Sequence, residues 1–212
     1  MKIVFISDTH GQHRKLKDLP KADLIIHGGD LSNRGKDHEV EDFIHWFVRL
    51  DYAHKIFIAG NHDFYLEEVS PEFIQKKLPV NYHYLCNSGV EIEGIKIWGS
   101  PVTPTFFNWA FNEDRGRPIK KFWNLIPKNT DILVTHGPPK NILDKTISDL
   151  NVGCEELLKK IKVVQPKFHL FGHIHEAYGK ENGNETTFIN GSLMNERYKM
   201  LHLPVEIDFI EN

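Results

Sequence analysis

The chain has 212 residues, 40% hydrophobic and 26% charged, with a formal net charge of −3 and 13 histidines. That size and balance fit one globular domain over residues 1–212, and the acidic net charge excludes a global attraction for nucleic acid or an anionic membrane. No apolar run approaches the roughly 18 residues of a membrane helix, and polar Asp8 arrives too early for a signal peptide. Cys86 and Cys154 form no C-x-x-C spacing, so reduced thiols and a cytoplasmic location are expected.

In chain order, short apolar runs at 2–7, 23–27, 55–59, 131–135 and 167–171 each end in Gly, Asp or His. Runs rich in Ile, Val and Phe predict strands buried on both faces. Between the second and third, Val40, Phe43, Ile44, Phe47 and Val48 repeat at helical spacing, with acidic residues Asp37, Glu39, Glu41 and Asp42 near the start. Residues 90–98 alternate apolar and polar about Gly94, as a hairpin does. A second helix is expected after Asn151, with Leu157, Leu158 and Ile161 inward, and further strands at 187–189 and 205–209. The alternation predicts an α/β fold with mixed sheets and outer helices, in which ligands gather beyond the carboxyl ends of strands.

Five polar motifs fall at those strand ends: Asp8-Thr9-His10, Gly28-Gly29-Asp30, Gly60-Asn61-His62-Asp63, Thr135-His136-Gly137-Pro138-Pro139 and Gly172-His173-Ile174-His175. Each alone reads as a turn. Together they offer carboxylates, imidazoles and an amide oxygen, a donor mixture suited to Mn, Fe, Zn or Co rather than to Ca or a thiolate-bound ion. In extended chain, residues i and i+2 point the same way. Asp8 and His10 are therefore expected to share one ion, and His173 and His175 to reach a common site.

The order D-x-H, G-D, G-N-H-D, H, G-H-x-H resembles the calcineurin-like metallophosphoesterase superfamily from Ile3 to about Ser192. Within it, stretches such as Gly99-Ser100-Pro101 and Phe106-Phe107-Asn108-Trp109-Ala110-Phe111 look similar to small metallophosphoesterase-domain-containing proteins with cyclic-nucleotide phosphodiesterase activity. The resemblance implies two mixed β-sheets sandwiched between helices and two divalent ions, with Mn favoured and Fe, Zn, Co or Ni as alternatives. It implies Asp8, His10 and His175 at the first metal and Asn61, His136 and His173 at the second, bridged by Asp30. It also implies that His62 faces the substrate as a catalytic residue. The chemistry implied is hydrolysis of a phosphate ester by a hydroxide bridging the two ions.

Beside His62, Asp63 could orient the imidazole or simply start a helix. Candidates for substrate contact are Asn33, Arg34, Phe107, Asn108 and Trp109, with Arg115 weaker; aromatic faces can stack a base, although such residues more often fill a core. The expected partner is a small phosphodiester or nucleotide, and the modest basic content argues against an extended nucleic-acid groove. The alternatives are a phosphomonoesterase, a nuclease, or a non-catalytic scaffold for protein partners. Oligomeric state is left open by the sequence.

Overall fold

The computed structural model describes residues 1–210. Two large mixed sheets pack face to face, with helices on their outer sides. The first sheet contains β1 (Lys2–Ile6), β2 (Leu24–His27), β3 (His54–Phe57), β4 (Tyr82–Tyr84) and β13 (Val205–Asp208), in the order β13-β1-β2-β3-β4. All neighbours run parallel except β13, which pairs antiparallel with β1.

The second sheet contains β5 (Ser88–Ile92), β6 (Ile95–Ser100), β9 (Ile132–Thr135), β10 (Phe168–Phe171), β11 (Gly179–Asn182) and β12 (Thr187–Asn190), in the order β11-β12-β10-β9-β6-β5. β5 and β6 form the expected hairpin, pairing Val90 with Ile97 across Gly94. A two-stranded parallel ribbon, β7 (Thr103–Pro104) with β8 (Asn112–Glu113), frames the aromatic stretch between them. The sequence pattern did not point to this ribbon, because two-residue strands carry no periodicity.

Side-chain alternation decides which residues meet. On β1, Ile3 and Phe5 point between the sheets and meet Ile97, Val134, Leu170 and Ile189. Val4 and Ile6 point outward to α1 (Asp37–Phe47), whose Val40, Phe43, Ile44 and Phe47 are buried at the predicted helical spacing. Each such side chain contributes about 1.5–3 kcal/mol of burial. The helix start is fixed by Glu39, whose Oε2 accepts from the backbone of Lys36 at 3.0 Å and Arg34 at 3.1 Å.

On the far side, Leu133 and Phe171 of the second sheet meet α4 (Arg117–Asn124) and α5 (Glu155–Val164). Leu157 and Ile161 are inward as expected, while Leu158 is only half-buried and Val164 takes the third inward position. Two short helices, α2 (Phe64–Glu68) and α3 (Pro71–Gln75), complete the connection to β4. The parallel strands β1, β2, β3, β9 and β10 all end at one edge of this sandwich, so the five polar motifs converge there.

Candidate active site

The loops after β1, β2 and β10 carry polar side chains on unusual backbone. Asp8 (φ 56°), His10 (φ 42°), Asp30 (φ 52°) and His173 (φ 69°) are all left-handed, a conformation that costs a side-chain-bearing residue about 1–2 kcal/mol. The expectation of simple alternation is thereby corrected. Asp8 and His10 do converge, but through a tight turn, and His173 and His175 part into different groups. The turns also need close approach by neighbouring chain. A Cβ at Gly60 would strike the Asp30 carboxylate, and one at Gly172 would strike that of Asp8.

Two groups of donors result. In the first, the ligand atoms of Asp8, His10 and His175 lie within 4.8 Å of one another; in the second, those of Asp30, His136 and His173 do. Asn61 joins the second through Oδ1, 2.9 Å from His136 Nε2. Asp30 stands between them, with Oδ2 3.6 Å from His10 Nε2 and Oδ1 3.3 Å from His136 Nε2. His62 also comes within 4.8 Å of the His10 and Asp30 donors.

The donor spacing fits cations. Ligands ringing one ion at about 2.1 Å stand about 3–4 Å apart. His10 Nε2 is 3.2 Å from His175 Nε2, and His175 Nε2 is 3.4 Å from Asp8 Oδ1. The opposite ring nitrogens are tied to carbonyls: His136 Nδ1 donates to Gly28 O at 3.0 Å and His175 Nδ1 to Asn195 O at 3.1 Å. This leaves Nε2 of each as the atom available to a metal ion, the arrangement that orients histidine ligands in metal sites generally. The carboxylates also accept backbone N–H groups, Asp8 from His173 and Asp30 from His62, which locks the loops of both sheets together.

Without ions, protons distribute unevenly over this cluster. Burial opposes charge on Asp8 and Asp30, yet the adjacent His175 and His136 respectively hold both carboxylates well below the ordinary range. Burial opposes charge on His136 too, but Asp30 and Asp8 raise it to about 9. His175 is likewise raised, against burial, by its bond to Asp8. His10 falls to about 4, chiefly through burial, and His173 is lowered by burial and by the His136 charge. In the second half a protonated His136, standing in for a cation, thus faces a neutral His173, while in the first half His175 is raised and His10 lowered.

Behind each half sits a buried histidine outside the motifs. His27 Nε2 donates to Thr9 Oγ1 at 3.0 Å while its Nδ1 accepts from Gly29 N at 3.3 Å. His169 Nε2 lies 2.7 Å from Thr135 Oγ1, which donates to Gly137 O at 2.8 Å. Burial depresses both histidines to about 3, so they are neutral braces for the loops holding Asp8, Asp30 and His136. Their strand positions concealed this role.

A cleft of about 430 Å³ opens from the two groups. His62 lies at its wall, with Nδ1 donating to Asn33 O at 2.8 Å and its ring stacked on Trp109, centroids 4.3 Å apart. Phe106, Trp109 and Arg115 line the cleft, whereas Asn33, Arg34, Phe107 and Asn108 do not. Asn33 instead contributes its carbonyl to His62. Arg115 is committed to the neighbouring loop, donating to Gly153 O, Val152 O and Glu155 Oε2. Phe106 and Phe107 are exposed rather than packed into a core. Tyr198 and Glu196 also line the cleft, though no sequence motif marks them.

Asp63 makes no hydrogen bond to the His62 ring, so the expectation that it orients that imidazole is corrected. Its buried carboxylate accepts from Gly60 N at 2.8 Å, from Ser32 N at 3.0 Å and from Ser32 Oγ, and burial with the nearby Asp30 raises it to about 6. It does begin α2 in the chain, but its side chain makes no capping bond to that helix.

Among the described residues no helix is long and apolar enough to cross a membrane. The calcineurin-like phosphoesterase family profile matches residues 1–177. Metallophosphoesterase domain-containing protein 1 of Homo sapiens is 38% identical over 230 residues, covering 98% of this chain and 70% of that protein. A 3′,5′-cyclic-nucleotide phosphodiesterase of Nostoc sp. is 25% identical over 182 residues, covering 81% of this chain and 63% of that one. Among solved structures, the phosphopantetheinyl hydrolase of Mycobacterium tuberculosis superposes with a TM-score of 0.64 at 13% identity, over 93% of this chain and 90% of the other, and so shares its fold. With the length of the profile match and the identity to the human protein, this chain belongs to the calcineurin-like phosphoesterase family.

Proposed function

We propose that this protein is a two-metal phosphodiesterase acting on a nucleotide or another small phosphodiester. The observation that carries the reading is Asp30, which turns one carboxylate oxygen toward each donor group, at 3.6 Å and 3.3 Å. Two divalent ions bound there would supply an activated water and neutralise charge on the phosphoryl group. The oxygen and nitrogen donors favour Mn, with Fe, Zn, Co or Ni as alternatives.

The chain's own residues then divide the remaining tasks. His62, with Nδ1 committed to Asn33 O, keeps Nε2 free to exchange a proton with the leaving oxygen. Trp109 holds the His62 ring flat and, with Phe106, offers aromatic surface to a base or aryl arm. The net charge of −3 and the compact cleft favour a small substrate over an extended nucleic acid. The cyclic-nucleotide activity in the name of the Nostoc relative points the same way.

A screen of bis(p-nitrophenyl) phosphate, p-nitrophenyl phosphate, cyclic nucleotides and short oligonucleotides with Mn²⁺ tests this reading. Diesters should turn over fastest. Preference for the monoester would make the protein a phosphomonoesterase, and two bound ions without turnover would favour a scaffold. His62→Ala should lower turnover on the order of 10²–10⁴-fold while both ions remain bound. Equal loss of metal would make His62 a ligand instead.

A further inference from the structure

Tyr198 belongs to no motif, yet it stands over the first half of the site. Its ring centroid lies 4.8 Å from that of His10, 5.1 Å from His175 and 6.3 Å from His62. It lines the cleft and is 44% exposed, so one side of the ring remains open to a ligand.

The backbone holds it there. Tyr198 adopts a left-handed φ of 55° inside a turn built on Asn195. The Asn195 side chain accepts from Arg197 N and Lys199 N, both at 3.0 Å, and its carbonyl accepts from Tyr198 N at 2.9 Å. The same carbonyl accepts from His175 Nδ1 at 3.1 Å. One residue thus orients a metal-ligand candidate and places the tyrosine above it. Gln12 Nε2 fastens the Tyr198 carbonyl at 3.3 Å. Among the described residues, the hydrogen bonds of Tyr198 run through its backbone, and its hydroxyl is left without a protein partner.

The surrounding chemistry gives that hydroxyl a use. Asp8, His10, Asp30 and His175 are oriented as electron-pair donors toward cations and cannot also donate to a phosphoryl oxygen. Resting on the phosphoesterase reading above, we propose that Tyr198 is a substrate-contacting residue. Its phenol O–H donates to a phosphoryl oxygen held over the His10 and His175 side of the site.

Tyr198→Phe in the full-length protein removes the hydroxyl and keeps the ring. With Mn²⁺ bound, its affinity for inorganic phosphate, read by calorimetry, should fall about ten- to a hundredfold, and KM for the diester should rise. Affinity for Mn²⁺ itself should not change. Tyr198→Ala should additionally shift the His10 and His175 imidazole resonances of the metal-free protein. Phosphate affinity and KM unchanged in Tyr198→Phe would overturn the contact, as would a parallel loss of metal or a wild type that binds no phosphate. If the wild type hydrolyses no ester while Tyr198→Phe still weakens phosphate binding, the phosphodiesterase reading fails and the contact stands.

Discussion

His10 and His175 lie beneath the ring of Tyr198, whereas His136 lies fully buried behind Asn61 and against Gly28. Both groups pair a raised imidazole with a lowered one, but the raised ones differ in surroundings. His136 reaches Asp30 Oδ1, Asn61 Oδ1 and Gly28 O, and its pKa rises to about 9. His175 has one carboxylate and one carbonyl. The second half should therefore surrender its proton more reluctantly, and its loading with a cation should stay dependent on pH up to about 9.

Asp30→Asn is the most severe way to break the distinction, because its two carboxylate oxygens face one donor group each. Metal analysis should show stoichiometry falling from two toward zero, with turnover lower on the order of a thousandfold. Asp8→Asn should release only the first ion. A subtler pair works through backbone space: Gly60→Ala should displace Asp30, and Gly172→Ala should displace Asp8. Each should cost about 1–3 kcal/mol of stability in denaturant unfolding. Loss of both ions in Gly60→Ala, but of one in Gly172→Ala, would confirm the asymmetry.

The pH behaviour sharpens it further. Because His136 must lose its proton to bind metal, Mn²⁺ affinity of the second half should rise about tenfold per pH unit up to about 9. Titration calorimetry in buffers of different ionisation enthalpy would register the released proton. In the metal-free protein, the stabilisation from charged His136 is fully present below pH 6.5 and is lost as pH rises through about 9. The braces have the opposite sign. His27 and His169 fall from 6.5 to about 3 on folding, so the unfolded chain takes up protons first as pH drops. Each should remove about 2 kcal/mol between pH 7 and 5, and urea unfolding of His27→Gln and His169→Gln should show that much less acid loss.

The smallest effect concerns the left-handed turns. In the metal-free protein, His10→Gly should be more stable than His10→Ala by about 1 kcal/mol, since only glycine adopts a φ of 42° freely. Equal stabilities in thermal unfolding would place the strain elsewhere.

Much of this architecture was legible because parallel strands buried on both faces must be written in Ile, Val, Leu and Phe. Ile3 to Ile6 and Ile132 to Val134 therefore declared themselves, as did the stripe on α1. The donor residues were legible through their order and their places after strands. Their geometry was not: Asp8, His10, Asp30 and His173 leave the strand path in left-handed turns, which side-chain alternation cannot anticipate. Nor could it reveal the outward-facing strand residues His27 and His169 as braces, or Tyr198, placed by a turn from outside the motifs.

Asp63 shows how such a site can mislead a mutational survey. Its carboxylate gathers amides from Gly60, Leu31 and Ser32, riveting the loop that carries Asp30 to the one that carries Asn61 and His62. Replacing it would imitate the loss of a catalytic acid while leaving every reacting group in the chain. The imitation is exposed by its company, because activity, metal content and folding stability should decline together, whereas a change at His62 should depress turnover alone.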